Sequence, residues 1–324
     1  RGILMRPAFA SLLAALCALP ALGADLPRAK APAAPALASV ACKEGDAVPP
    51  DAFGFAAGSD VAEAGSWGAG LEYGLAFGTR VGRAQSHGFK ASVSGGIAPC
   101  FEIGPSLTFG HERWSDPTVP ARGRTTAFGA GLEMKAKLLT REAHGVGLTL
   151  VAEPTAAWSR TRLRDYATPL FASGSGGTYG VATKLLLDAA LVPGRVYGAL
   201  NLEYGAEAAD DDGLTCATLS GSGHCRGSAL ALRGALAYKL NDQFFLGADI
   251  AHQRVYEGLF LNRNPGYAWF AGPNLFWAPN EKISINAAWS TQIAGKAHGQ
   301  ASGQKLNLDD FSRHVVKVKL GVAF

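Results

Sequence analysis

The sequence predicts an all-β protein: a transmembrane, antiparallel, up-and-down β-barrel of about twelve strands, with an N-terminal signal peptide and an irregular periplasmic tail. Three observations carry this. Large apolar residues alternate with small or polar ones at a period of two, the spacing that puts successive side chains on opposite faces of a strand. The connections between these runs alternate between short and long. Glycine is abundant, at 41 of 324 residues, and each interior glycine costs a helix roughly 1 kcal/mol. With only 17% charged residues the chain is too apolar for disorder. Its net charge of +4 gives no electrostatic footprint for nucleic acid.

The elements follow in order. Residues 1–23 read as a secretory signal peptide behind a short upstream extension. Met5-Arg6 forms the charged region, an uncharged apolar stretch follows, and Ala21-Leu22-Gly23 is a small-residue cleavage site. The alternative, an N-terminal membrane helix, is opposed by Pro20 and by that site. Residues 24–65 are Ala/Pro-rich and then irregular, a periplasmic tail that is either a flexible spacer or a partial plug. The barrel occupies 66–324. Its first strand sets Trp67, Leu71, Tyr73, Leu75 and Phe77 against Gly68, Gly70, Glu72 and Gly74. Ten further runs lie within 89–97, 101–109, 128–138, 146–158, 179–187, 200–204, 230–238, 246–250, 267–277 and 283–289. The last sets Val316, Val318, Leu320, Val322 and Phe324 against Lys317, Lys319, Gly321 and Ala323.

Short turns are expected at Pro99-Cys100, Thr140–His144, Pro193-Gly194, Asn241–Gln243 and Pro279–Glu281. Long polar loops are expected near 80–88, 112–122, 162–177, 206–227, 254–265 and 292–312. Short turns on one side and long loops on the other is the plan of an outer-membrane barrel, whose closure pairs every backbone group in lipid. Aromatics gather at both ends of the strands, as in interfacial girdles. A soluble sandwich or barrel would also alternate. Here, however, the charges occupy the face opposite the bulky apolar one, which is the wrong way round for water outside.

The inward phase defines a lumen. It carries Lys90, Lys135, Lys137, Lys184, Arg233, Lys239, Lys317 and Lys319, and also Glu72, Glu102, Glu133, Glu153, Asp188, Glu203 and Asp249. Twelve strands fall between a bore filled by side chains and an open aqueous channel. The expected function is a narrow, passive, porin-like channel for small hydrophilic solutes. The alternative is a salt-bridged lumen and a structural or surface-interaction barrel. An enzyme is the third class: Ser312 and His314 share the outward phase near the outer leaflet, as a lipid hydrolase requires, and His111 and His252 lie at similar heights. No acid or amide in the right phase stands beside them to orient a base. No cofactor motif is present. Glu207, Asp210, Asp211 and Asp212 form an acidic run that reads as a solvated loop or a divalent-cation site.

Of five cysteines, Cys17 leaves with the signal peptide. The remaining four suit an oxidising compartment. Cys216 and Cys225 share one outer loop and are expected to pair. Cys42 in the tail and Cys100 in the first short turn lie on the same side of the membrane, so they are either bridged to each other or two unpaired cysteines. Five outward arginines, Arg122, Arg124, Arg160, Arg162 and Arg164, flank one hairpin at its outer end. They are expected either to form a patch for lipopolysaccharide phosphates or to be solvated in loops.

Beyond these readings, the signal peptide, the start Ala24-Asp25-Leu26-Pro27-Arg28-Ala29-Lys30-Ala31-Pro32 and the final Phe324 resemble outer-membrane β-barrel proteins of alphaproteobacteria. The resemblance implies a place in the bacterial outer membrane, contact with its lipid, and recognition of the last strand by the barrel-insertion machinery. Val322 departs from the pattern, standing where an aromatic is common. The resemblance implies no particular solute.

Overall fold

The computed structural model describes residues 42, 51–79, 84–116, 121–165, 171–210 and 224–324. The signal-peptide segment, Cys216, Asp211 and Asp212 lie outside these residues. Twelve antiparallel strands close into one barrel, each paired with its sequence neighbours and β1 with β12. They are β1 (Trp67–Phe77), β2 (Gln85–Ala98), β3 (Phe101–Asp116), β4 (Ala121–Leu139), β5 (Gly147–Asp165) and β6 (Phe171–Val192). The circuit continues through β7 (Val196–Asp210), β8 (His224–Asn241), β9 (Phe244–Glu257), β10 (Arg263–Asn280), β11 (Ile283–Ala297) and β12 (His314–Ala323). One helical turn, α1 (Arg141–His144), joins β4 to β5 and ends at Gly145, whose φ of 74° is a left-handed cap. Register between the closing strands runs from Gly68 opposite Ala323 to Phe77 opposite His314.

Period two sets the faces. Leu71, Leu107, Phe128, Trp158 and Leu236 are exposed on the outer wall, while Glu102, Thr149, Asp188, Asn201 and Asp249 are buried within. Tyr73, Phe89, Phe109, Phe128 and Trp158 stand directly opposite one another from β1 to β5, one aromatic row around the outer-leaflet side.

The outer connections differ from expectation. Strand pairing runs through most of the segments read as long polar loops. Ser115 pairs with Arg122, Arg164 with Phe171, Asp210 with His224, and Glu257 with Arg263. β4 and β5 reach 19 residues and β6 reaches 22, against the 9–11 or so that cross a bilayer. Polarity in the sequence marks where the wall leaves lipid, and a hairpin continuing into water still has its backbone groups to pair. Only 298–313, between β11 and β12, is a long irregular connection among the described residues.

Candidate functional site

The site is the lumen, and residues 51–63 occupy its periplasmic half. This segment has no strand periodicity, so its backbone groups need partners from elsewhere. The inward side chains of the wall supply them. Ser59 donates through its N–H and its hydroxyl to the two carboxylate oxygens of Asp188, at 2.6 and 2.8 Å. The Phe55 and Ala56 N–H groups donate to Asp249 at 3.2 and 3.4 Å. The Ala62 N–H donates to Glu102 at 2.7 Å. Asn286 donates to the carbonyls of Asp51 and Phe53, and Thr149 donates to the carbonyl of Ser59.

Charge holds both ends of the segment. Lys319 pairs with Asp51 at 2.6 Å. At the other end Asp60 takes Lys137 at 2.9 Å and Arg141 at 2.7 Å, and Arg141 also pairs with Asp188 at 2.6 Å. Between them lies an apolar contact. Ala52, Phe53 and Ala56 pack into Tyr197, Ala199, Ala235, Ala237, Phe245 and Phe276 of the wall. Burial of a phenylalanine side chain of this kind contributes about 1.5–3 kcal/mol. Gly54 passes so close to Asp249, Asn274 and Ala288 that a Cβ there would collide with all three. Lys317 lies over the Phe55 ring, 5.4 Å from its centre.

The remaining lumen charges form a ladder on the β2–β6 side. Lys90 reaches Glu153 at 2.5 Å, Glu153 takes Lys184 at 3.2 Å, and Lys184 approaches Glu133 at 3.9 Å. Glu133 takes Lys135 at 3.2 Å, and Lys135 reaches Glu102 at 3.0 Å. Glu102 therefore links the ladder to the segment inside. Arg233 pairs with Glu203 at 3.1 Å. Glu72 stands opposite Lys90 and Lys319 in the strand register. Lys239 is turned to the periplasmic rim, where it meets Asp242 at 2.8 Å.

The outer half of the lumen is entered from the other side. The 298–313 connection inserts Phe311 against Ala251, Ala268 and Phe270. Asn307 is fully buried and donates to the carbonyls of Tyr267 and Lys296 and to Asp310.

Several residues of this site escaped sequence reading. Asp51 and Asp60 sit in a stretch without pattern, and Arg141 sits in a turn. One signal was present. Phe244-Phe245, Trp269-Phe270 and Phe276-Trp277 are adjacent aromatic pairs that break the alternation. The structure turns one member of each outward, while Phe245, Phe270 and Phe276 turn in to meet Phe53 or Phe311.

Other candidate residues fall outside this cluster. Cys42 and Cys100 form a disulfide with Cα atoms 5.3 Å apart, tying the tail to the first periplasmic turn. Cys225 lies on β8 opposite Ala209. His314 shares a hydrogen bond of 3.1 Å with Thr291 and packs near Phe77 and Trp289; no hydrogen bond joins it to Ser312 among the described residues. His111 accepts from Arg113 at 3.0 Å, and His252 stacks on Trp269 at 4.5 Å. Glu207 and Asp210 belong to β7.

A closed twelve-stranded wall with apolar residues outside and a polar, charge-paired lumen defines a bacterial outer-membrane β-barrel protein. The chain belongs to a family described as a family of unknown function (DUF6662), whose model matches residues 49–324, the luminal segment included with the barrel. No curated protein matches it in sequence. Its fold is similar to the translocator domain of the autotransporter NalP from Neisseria meningitidis, with TM-score 0.55, 14% identity, and coverage of 80% of this chain and 88% of that one. It is similar to the β domain of the Bordetella autotransporter BrkA, with TM-score 0.56, 11% identity, and coverage of 80% and 99%. It is also similar to an outer-membrane channel from Pseudomonas putida F1, with TM-score 0.51, 11% identity, and coverage of 82% and 98%.

Proposed function

We propose that the protein is a narrow porin-like channel for small hydrophilic solutes whose periplasmic half is closed by residues 51–63. The observation behind this reading is how the segment is held. Its attachments are mostly side-chain hydrogen bonds and ion pairs from a wall that is complete without it. Releasing the segment breaks no strand pairing. It would uncover a bore lined by Asp188, Asp249, Glu102 and the lysine–glutamate ladder, which suits small polar solutes of either charge.

The test is planar-bilayer conductance of the full chain beside its Asp188→Asn variant. The expected result is little current from the parent and stepwise ohmic current from the variant. A variant whose segment is demonstrably released, yet which carries no current, would overturn the channel.

A second reading, a structural barrel without conduction, is favoured by one observation. Phe311 and Asn307 enter the outer half of the lumen and pack against its β9–β11 side. An open-segment variant that stays silent would support it.

A further inference from the structure

On the outer wall, above the aromatic row, β3, β4 and β5 bring arginines face to face. Arg113 stands directly opposite Arg124, and Arg124 directly opposite Arg162. One step further out, Arg122 stands directly opposite Arg164. Arg160 faces Thr126 between this array and Trp158. Five of the six were expected from the sequence; Arg113 joins them only through the strand register. All are strand residues rather than loop residues, and all are exposed.

Like charges directly opposite one another destabilise a sheet. Here the arrangement recurs in three cross-strand pairs. No described salt bridge relieves Arg113, Arg124, Arg160 or Arg162. Among the described residues, Arg113 Nε donates to His111 at 3.0 Å, which orients its guanidinium without neutralising it.

Height and surroundings say what compensates. The row Arg113–Arg124–Arg162 lies four residues beyond Phe109, Phe128 and Trp158 on the same strands. At about 3.3 Å per residue and a tilt near 45°, that is about 9 Å above the aromatic row, with Arg160 about 5 Å above it. The headgroup layer adds roughly 5–8 Å to each side of the hydrocarbon, so Arg160 lies within it and the Arg113–Arg124–Arg162 row lies at its outer edge. Directly below, Phe128 and Trp158 are 55% and 58% exposed on the outer wall, a surface for acyl chains. Phosphate above and hydrocarbon below, on one strip of wall, fits one amphipathic ligand.

We infer that Arg113, Arg124, Arg160 and Arg162, flanked by Arg122 and Arg164, form a binding site for the phosphate groups of an outer-leaflet lipopolysaccharide whose acyl chains cover the aromatic row. Each guanidinium presents a fork of donors to phosphate and stays charged at every physiological pH.

The test uses full-length protein folded in detergent and purified lipopolysaccharide as the probe. With the parent, enzymatic dephosphorylation of the lipopolysaccharide should lower the amount retained per barrel about tenfold, the size of one lost charge-assisted contact at 1.4 kcal/mol or more. The quadruple variant Arg113→Gln, Arg124→Gln, Arg160→Gln, Arg162→Gln should show the same loss with intact lipopolysaccharide, while keeping the heat-modifiable gel mobility of a folded barrel. Equal retention of phosphorylated and dephosphorylated lipid by the parent would overturn the site. So would undiminished retention by the folded variant. Displacement of the lipid by inorganic phosphate at equal concentration would also overturn it, since it would make a free anion the ligand. The dephosphorylation arm stands even if the variant fails to fold.

Discussion

Strand β4 carries two cations with opposite company. Near its inner end Lys135 lies between Glu102 of β3 and Glu133 of its own strand. Near its outer end Arg124 lies between Arg113 of β3 and Arg162 of β5. The first belongs to a ladder in which each of Lys90, Glu153, Lys184, Glu133, Lys135 and Glu102 has a counter-charge within 4 Å, and a half-buried ion left without one there is costly. The second faces outward at the rim, where a ligand from the membrane can supply the missing anions. The contrast separates charges that hold the molecule together from charges placed to hold something else. It also predicts opposite responses to neutralisation.

The largest expected effect breaks the paired side. Asp188 accepts from Ser59 twice and from Arg141 once. Asp188→Asn removes the charge and presents an amide donor to donors. Breaking a buried pair costs about 3–5 kcal/mol, so a cysteine reporter at Ala57 should react with a membrane-impermeant thiol reagent roughly a hundredfold to a few thousandfold faster. A reaction no faster than in the parent reporter would mean that Asp188 does not hold the segment.

Apolar packing comes next. Phe53→Ala leaves a hole against Phe245 and Phe276 and should weaken docking by about 3 kcal/mol. The same reporter should read it, with the barrel's own thermal transition unchanged.

Acid provides a third handle. Burial alone would raise the Asp51 carboxyl, but the charge and hydrogen bond of Lys319 outweigh it, and its pKa lies below the ordinary 3.8. A carboxyl depressed on folding stabilises at every pH above its ordinary value and loses that contribution as pH falls through the folded one. Reporter labelling, divided by the rate of a free thiol at the same pH to remove the change in thiolate fraction, should therefore stay flat from about pH 7 to about pH 5 and rise only below about pH 4. A rise near neutral pH would place the controlling group elsewhere.

The smallest effect sharpens the other side. In detergent free of lipopolysaccharide, Arg124→Gln relieves two like-charge pairs and should stabilise the barrel by about 0.2–1 kcal/mol. Denaturant unfolding would show it. The same substitution should lose its benefit once phosphorylated lipopolysaccharide is added. Destabilisation in its absence would remove the contrast with Lys135.

Much of this molecule was legible before folding. The faces of the strands follow from a local period, and so do the outward Phe128 and Trp158, the inward Glu133 and Lys135, and the barrel class. The pairing of Cys42 with Cys100 was open to topology, because a tail and a first turn share one side of the membrane. The long polar loops were misplaced. Arg122 and Arg164 look like loop residues by polarity and position, yet belong to hairpins that continue into water.

By itself, then, the sequence determined what repeats along the chain: strand, phase, lumen charge and aromatic belt. Each depends on neighbours two residues away. Only the tertiary structure decided what stands beside what across the barrel. Ser59 meets Asp188 at a separation of 129 residues, and Asn286 reaches the Asp51 carbonyl at 235. Arg113 finds Arg124 through the register of β3 on β4. Those meetings exist because twelve strands close on themselves in one register, and closure is a property of the whole circuit that no local stretch of residues contains.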